Sequence, residues 1–133
     1  MNFEGKARKE IFRGDINEEY AYSGYVIAGD YVFLNFCVGN VGKSIREQVE
    51  GALNNMEERL KEINLTLEDV VKVDVLFRDI WNIPIMEEVF KERFKGNYPA
   101  RKSISTDFAH VGGNEGLHVQ IDGIAYIRKV NSM

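Results

Sequence analysis

The sequence predicts an α+β fold, a six-stranded sheet with two helices packed on one face. Six short apolar runs are separated by turn residues. Two longer segments repeat their apolar positions at steps of three and four, which gives the order β-β-β-α-β-α-β-β. One strand that is apolar on both sides bears on how the second face of the sheet is covered.

Residues 8–13 (RKEIFR) read as a short first strand. Residues 21–38 read as two strands that turn at Gly29–Asp30, a dipeptide suited to a tight hairpin. In the second of these, YVFLNFCV, alternation sets Tyr31, Phe33, Asn35 and Cys37 on one face and Val32, Leu34, Phe36 and Val38 on the other. Both sets are mostly apolar, so this strand is expected to be buried on both sides. Residues 44–63 carry the clearest helix, with Ile45, Val49, Ala52, Leu53, Met56, Leu60 and Ile63 on one stripe. Ser44 and Glu47 form a capping box at its start, and Glu57 and Lys61 are spaced as an i,i+4 pair on its wet face.

Residues 70–78 alternate, with Val71, Val73, Val75 and Phe77 on the expected buried side and Lys72, Asp74 and Arg78 opposite. Asn82 and Pro84 open a second helix, Ile85, Met86, Val89, Phe90 and Phe94 form its stripe, and Gly96 ends it. Strands at 102–108 and 117–128 follow, with the GGNEG segment at 112–116 as a turn between them. Two helices cover one face of six strands, not both. The doubly apolar strand therefore calls for another copy of the chain, an oligomer packed through the open sheet face.

A length of 133 residues suits a single domain, 1–133, that needs no disulfide or metal to hold it. Cys37 is the lone cysteine and forms no internal disulfide, which fits a reducing, cytoplasmic setting. No apolar run approaches the ~20 residues that span a bilayer, so no membrane partner is expected. The first residues, MNFEGKARKEIFRGD, lack the apolar core of a signal peptide. A net charge of −4 argues against nucleic acid as a partner, because such binding draws on cationic contacts with phosphates.

Several motifs invite chemistry. GNVGKS at 39–44 matches the end of a phosphate-binding loop in Gly42, Lys43 and Ser44, but Cys37 stands where the first glycine belongs. A loop with a serine cap explains it better. His110, His118 and Cys37 lack ligand spacing, so no metal is expected. Burial within an apolar strand makes Cys37 a packing residue rather than a nucleophile. The acid pairs Glu57–Glu58 and Glu87–Glu88 read as solvated helix faces. Arg101 stands apart. It follows Tyr98-Pro99-Ala100 at the mouth of a strand, where a held guanidinium can grip a carboxylate bidentately, although a surface ion pair remains the simpler reading.

The chain from Tyr22 to Tyr126 resembles the RidA/YjgF family of reactive-imine deaminases, also called L-PSP endoribonucleases. The resemblance rests on AGDYVFLN at 28–35, EDVVKVDVLFRDI at 68–80, YPARKSIS at 98–105 and VQIDGIAYI at 119–127. It implies a chorismate-mutase-like fold with a mixed sheet, and a homotrimer with ligand clefts between subunits. It also implies hydrolysis of 2-imino or 2-enamino acids to 2-oxo acids and ammonia, without metal or cofactor. By the same resemblance, Arg101 binds the carboxylate of a small ligand, and Ser103 and Tyr22 line the cleft.

Departures from the family pattern fall in the same places. The family's apolar-Glu-apolar triplet, whose glutamate orients the attacking water, is here Val119-Gln120-Ile121. Glutamine hydrogen-bonds a water but is no base. Asp122, two residues on and so on the same face, is the nearest acid that could act with it. Asn35-Phe36 replaces a Ser-Gly pair, Lys102 replaces a small residue, and Glu87 stands where the family often has asparagine. The resemblance thus implies Gln120 and Asp122 as the catalytic pair, with Arg101, Ser103, Tyr22, Asn35 and Glu87 around the substrate. The alternative is a non-catalytic binding or regulatory member that has lost the water-orienting carboxylate. A ribonuclease is disfavoured by the acidic charge balance and the lack of a suitably spaced His–His or His–Lys pair.

Overall fold

A computed structural model describes residues 10–107 and 115–128. Strands β1 (Phe12–Asn17), β2 (Tyr22–Ala28) and β3 (Tyr31–Cys37) come first, then helix α1 (Ile45–Lys61), β4 (Val70–Phe77), α2 (Ile83–Phe94), β5 (Ala100–Ser105) and β6 (Val119–Tyr126). The strands form one sheet in the order β1-β2-β3-β6-β4-β5. Only β4 and β5 run parallel, joined through α2; every other neighbouring pair is antiparallel. The expected α+β sheet is therefore mixed, with β5 and β1 as its edges.

One face carries the core. Val49, Leu53, Met56 and Leu60 of α1 and Met86, Val89 and Phe94 of α2 pack on Val73, Val75, Phe77 and Ile121 of the sheet. Each such side chain, once buried, contributes about 1.5–3 kcal/mol. Gly51 lets α1 come close to the chain that follows β3, because a Cβ there would meet the Gly39 carbonyl carbon at 2.6 Å. The opposite face stays open: Tyr31, Phe33, Ile104 and Tyr126 are exposed on it. The Tyr31 and Tyr126 rings pack there with centroids 5.5 Å apart.

Four local expectations need correction. The first strand runs from Phe12 to Asn17, further along than 8–13, because its register with β2 pairs Phe12 with Ile27 and Asn17 with Tyr22; residues 8 and 9 lie outside the described residues. The simple alternation along β3 fails after Leu34. A bulge there sets Leu34 opposite Gly123 and Cys37 opposite Ile121, and Phe36 adopts φ 56°. The extra residue rotates Cys37 onto the helix-covered face with Leu34. In β4 a second irregularity between Val70 and Lys72 buries Val70 and exposes Val71. On α1, Glu57 pairs with Arg93 of α2 at 3.1 Å, so this carboxylate braces the two helices together.

The capping box is formed as expected: the Glu47 amide donates to Ser44 Oγ at 3.2 Å, and the Ser44 amide donates back to Glu47 Oε1 at 3.2 Å. The Ser44 hydroxyl, donating to Glu47 Oε1 at 2.9 Å, and then the Ser44 amide hold the Glu47 carboxyl below the usual carboxylate range. The amides of the preceding loop are bonded as well, Gly42 to Gly116 O just before β6 and Lys43 to Asn40 O within the loop, each at 3.0 Å. The amides that would cradle a phosphate are taken, and a carboxylate sits at the helix start. Buried Gln48 ties this loop to β6 by donating to Lys43 O and Gly116 O and accepting from the His118 amide. His110 and residues 112–114 of the expected turn lie outside the described residues.

Candidate functional site

The expected site residues fall into two groups. Arg101 lies opposite Val73 and Ser103 opposite Val75 in the β4–β5 register, so both stand on the helix-covered side at the sheet edge. Arg101 donates through one terminal nitrogen to Glu87 Oε2 on α2 and through the other to Ser103 Oγ, each at 3.0 Å. The dipeptide before it sets the strand's entry, with Pro99 buried. Arg101, Glu87, Phe90, Lys91, Tyr98 and Pro99 line an open cleft of ≈ 540 Å³ between α2 and β5. Glu87 is thus an ion-pair partner rather than a merely solvated acid. Its neighbour Glu88 likewise meets Arg46, at 3.3 Å.

Gln120 and Asp122 alternate with buried Val119 and Ile121 and so stand on the open face. Gln120 Nε2 donates to Asp122 Oδ1 at 3.0 Å, and the Phe36 amide donates to the same oxygen at 2.8 Å. The β3 bulge is what delivers that amide. Asn35 and Asp122 share a shallow hollow of ≈ 290 Å³ on this face with Lys72 and Asp74. Tyr22 joins the group through Phe36, edge to face at 5.9 Å between ring centroids. The two groups are therefore on opposite sides of the sheet within one chain.

Arg59 was hidden from the sequence pattern by its charge. It is buried on α1, donates to Asp15 Oδ2 at 2.9 Å, and reaches Asn35 O at 2.8 Å and Cys37 Sγ at 3.4 Å. It braces the bulge from beneath, on the helix side. One signal was available: position 59 lies three residues after Met56 and seven after Ala52, on the margin of the apolar stripe. Burial pushes the Cys37 thiol up to about 12, against the opposing pull of Arg59. A thiol so placed holds its proton and packs. Among the described residues, no three His, Cys, Asp or Glu side chains gather as metal ligands.

No helix among the described residues is long and apolar enough to cross a membrane. Residues 14–127 match the family described as Endoribonuclease L-PSP. A human 2-iminobutanoate/2-iminopropanoate deaminase is 32% identical over 111 residues, covering 78% of this chain and 78% of that protein. Among solved structures, a member of the YjgF family from Streptococcus pyogenes is 56% identical, with a TM-score of 0.85 over 91% of this chain and 99% of that one. A YjgF-family protein from Neisseria meningitidis shares the fold at 22% identity, with a TM-score of 0.81 over 93% and 100% of the two chains. The architecture is the α+β, chorismate-mutase-like one expected of such relatives.

Proposed function

The chain belongs to the Endoribonuclease L-PSP (RidA/YjgF) family, and from that premise we propose that it hydrolyses small 2-imino acids to 2-oxo acids and ammonia in clefts between copies of itself. One copy contributes Arg101, Ser103 and Glu87, and its neighbour contributes Gln120, Asp122, Asn35 and Tyr22. The assembly is a homotrimer packed through the open sheet face. The observation that carries this reading is the separation of the two groups to opposite sides of one sheet. A second copy can bring them together where one chain cannot. The exposed Tyr31, Phe33, Ile104 and Tyr126 give that copy an apolar surface to cover.

Chemically, Arg101 holds the ligand carboxylate. Three of its five N–H donors remain after Glu87 and Ser103, enough for a bidentate grip. Gln120 holds water through its amide oxygen. Asp122 is a positioning residue, since its Oδ1 already accepts two bonds. The water oxygen attacks the imine carbon, both protons of that water pass in turn to the nitrogen, and the carbon–nitrogen bond breaks to release ammonia as the oxygen becomes the carbonyl. Holding water and imine together in this way contributes several kcal/mol to lowering the barrier.

A second reading has its own observation. Gln120 carries no charge where a general base would stand, which favours a carboxylate-binding protein without turnover. Subunit complementation tests the shared cleft. Arg101→Ala and Gln120→Ala are each expected to be inactive. Mixed 1:1 through unfolding and reassembly, they regain roughly a quarter of wild-type activity, because every mixed ring of three has one intact cleft. If reassembled mixtures stay inactive although wild type is active, the cleft does not lie between copies.

A further inference from the structure

The Arg101–Glu87 pair places a carboxylate of the protein beside the group that would hold the carboxylate of the ligand. We propose that Glu87 is a specificity-determining residue that makes the cleft favour protonated 2-imino and 2-amino acids over 2-oxo acids. This rests on the reading of Arg101 as the carboxylate anchor.

On the wall that carries the anchor, two cations, Arg101 and Lys91, stand with one anion, Glu87, so that wall keeps a net attraction for a carboxylate. A plain oxo acid must share Arg101 with Glu87, and its keto oxygen is a second acceptor with nothing to offer that side chain. A ligand with a protonated nitrogen next to the carboxylate differs at one atom. Its carboxylate takes the free guanidinium donors while its N–H donates to Glu87, so every charge finds a partner. Glu87 lines the cleft from α2, within 3.0 Å of the guanidinium, so both contacts are within reach of a molecule of a few atoms. In the proposed reaction the imine enters as the donor-bearing species and leaves as an oxo acid. The same contact therefore weakens the hold on product.

The test is calorimetric titration of the assembled protein with 2-aminobutanoate and, separately, 2-oxobutanoate. Wild type is expected to bind the amino acid about tenfold tighter, the worth of one hydrogen bond to a charged group. Glu87→Gln keeps the shape and loses the charge, and its preference falls below about twofold, chiefly because 2-oxobutanoate binds better. Arg101→Ala loses both ligands. An equal preference in wild type and Glu87→Gln, or a wild-type preference for the oxo acid, overturns the inference and leaves the anchor standing. Failure of wild type to bind either ligand, or unchanged binding by Arg101→Ala, overturns the anchor and this inference with it.

Discussion

Gln120 Nε2 donates to Asp122 Oδ1 at 3.0 Å, and that one bond fixes which end of the amide is free. An ionised carboxylate only accepts, so the amide nitrogen must face it and the Gln120 oxygen is left to accept from a water or a ligand N–H. The Phe36 amide, donating to the same Asp122 oxygen, holds the carboxylate still. The uncharged Gln120 side chain thus keeps a defined direction.

Asp122→Asn removes that certainty, since an asparagine can itself donate and let the Gln120 amide turn over. Turnover of 2-iminobutanoate is expected to fall by about tenfold or more, as misplacement of a positioned group does. Gln120→Glu places two carboxylates side by side and so supplies a group that can take and return a proton beside the water. Its turnover is expected to rise by up to about 10²-fold, the lower range of acid–base assistance. Steady-state rates of both variants check this, and unchanged rates in both would remove Gln120 from the reacting centre.

Arg59→Met keeps the length of the side chain and deletes its donors to Asp15, Asn35 and Cys37. The unfolding free energy is expected to drop by about 1–3 kcal/mol, because the Asn35 carbonyl, partly buried against Arg59, and the half-exposed Asp15 carboxylate lose a charged partner. Urea titration measures it. A change below about 0.5 kcal/mol, the ordinary surface value, would mean that the bulge stands without this brace.

The sequence pattern made the sheet order's ingredients, both helix stripes and the capping box readable, because each depends on neighbours a few residues away. The bulge in β3 was not readable. Asn35-Phe36 looks like ordinary strand, and only Asp122, Asn35 O and Arg59, distant in sequence, reveal why the extra residue is stable there. Arg59 was missed because a guanidinium within an apolar stripe reads as solvent-facing until its acceptors are known. Arg101 stood out by its place after Pro99, yet its partner Glu87 was legible only once α2 lay beside β5. The division of the site between two faces follows from strand register, which alternation within a single strand does not give.

Cys37 and Tyr25 set a pH limit. Both are held up to about 12, from ordinary values of 9.0 and 10.0, chiefly by burial, with the Tyr25 hydroxyl also donating to Glu62. The unfolded chain releases these protons first, so the contribution of the two groups to stability is level at neutral pH and falls as pH rises from about 9 toward 12. Denaturation midpoints across that range check the sign. At pH 8 the native thiol is expected to resist iodoacetamide and to react once urea unfolds the chain; rapid native labelling would contradict its burial.

Ser44→Ala breaks the capping box that replaces a phosphate site at the start of α1. A loss of about 1 kcal/mol is expected from the missing cap. Catalysis should be unaffected, because no substrate contact is proposed there. Thermal unfolding beside the deaminase rate separates the two, and a lost rate in a folded variant would reopen the loop as a functional element.

Everything proposed for the cleft depends on Arg101 holding a 2-imino acid for hydrolysis. The most direct measurement is a coupled assay of 2-iminobutanoate hydrolysis, generated in place, with wild type and Arg101→Ala compared at matched oligomeric state. Wild type is expected to turn over 2-iminobutanoate, and kcat/KM to fall by about 10²-fold or more in the variant, the loss of a bidentate charged contact. No turnover from the folded wild-type assembly, or equal rates in the two proteins, would contradict it.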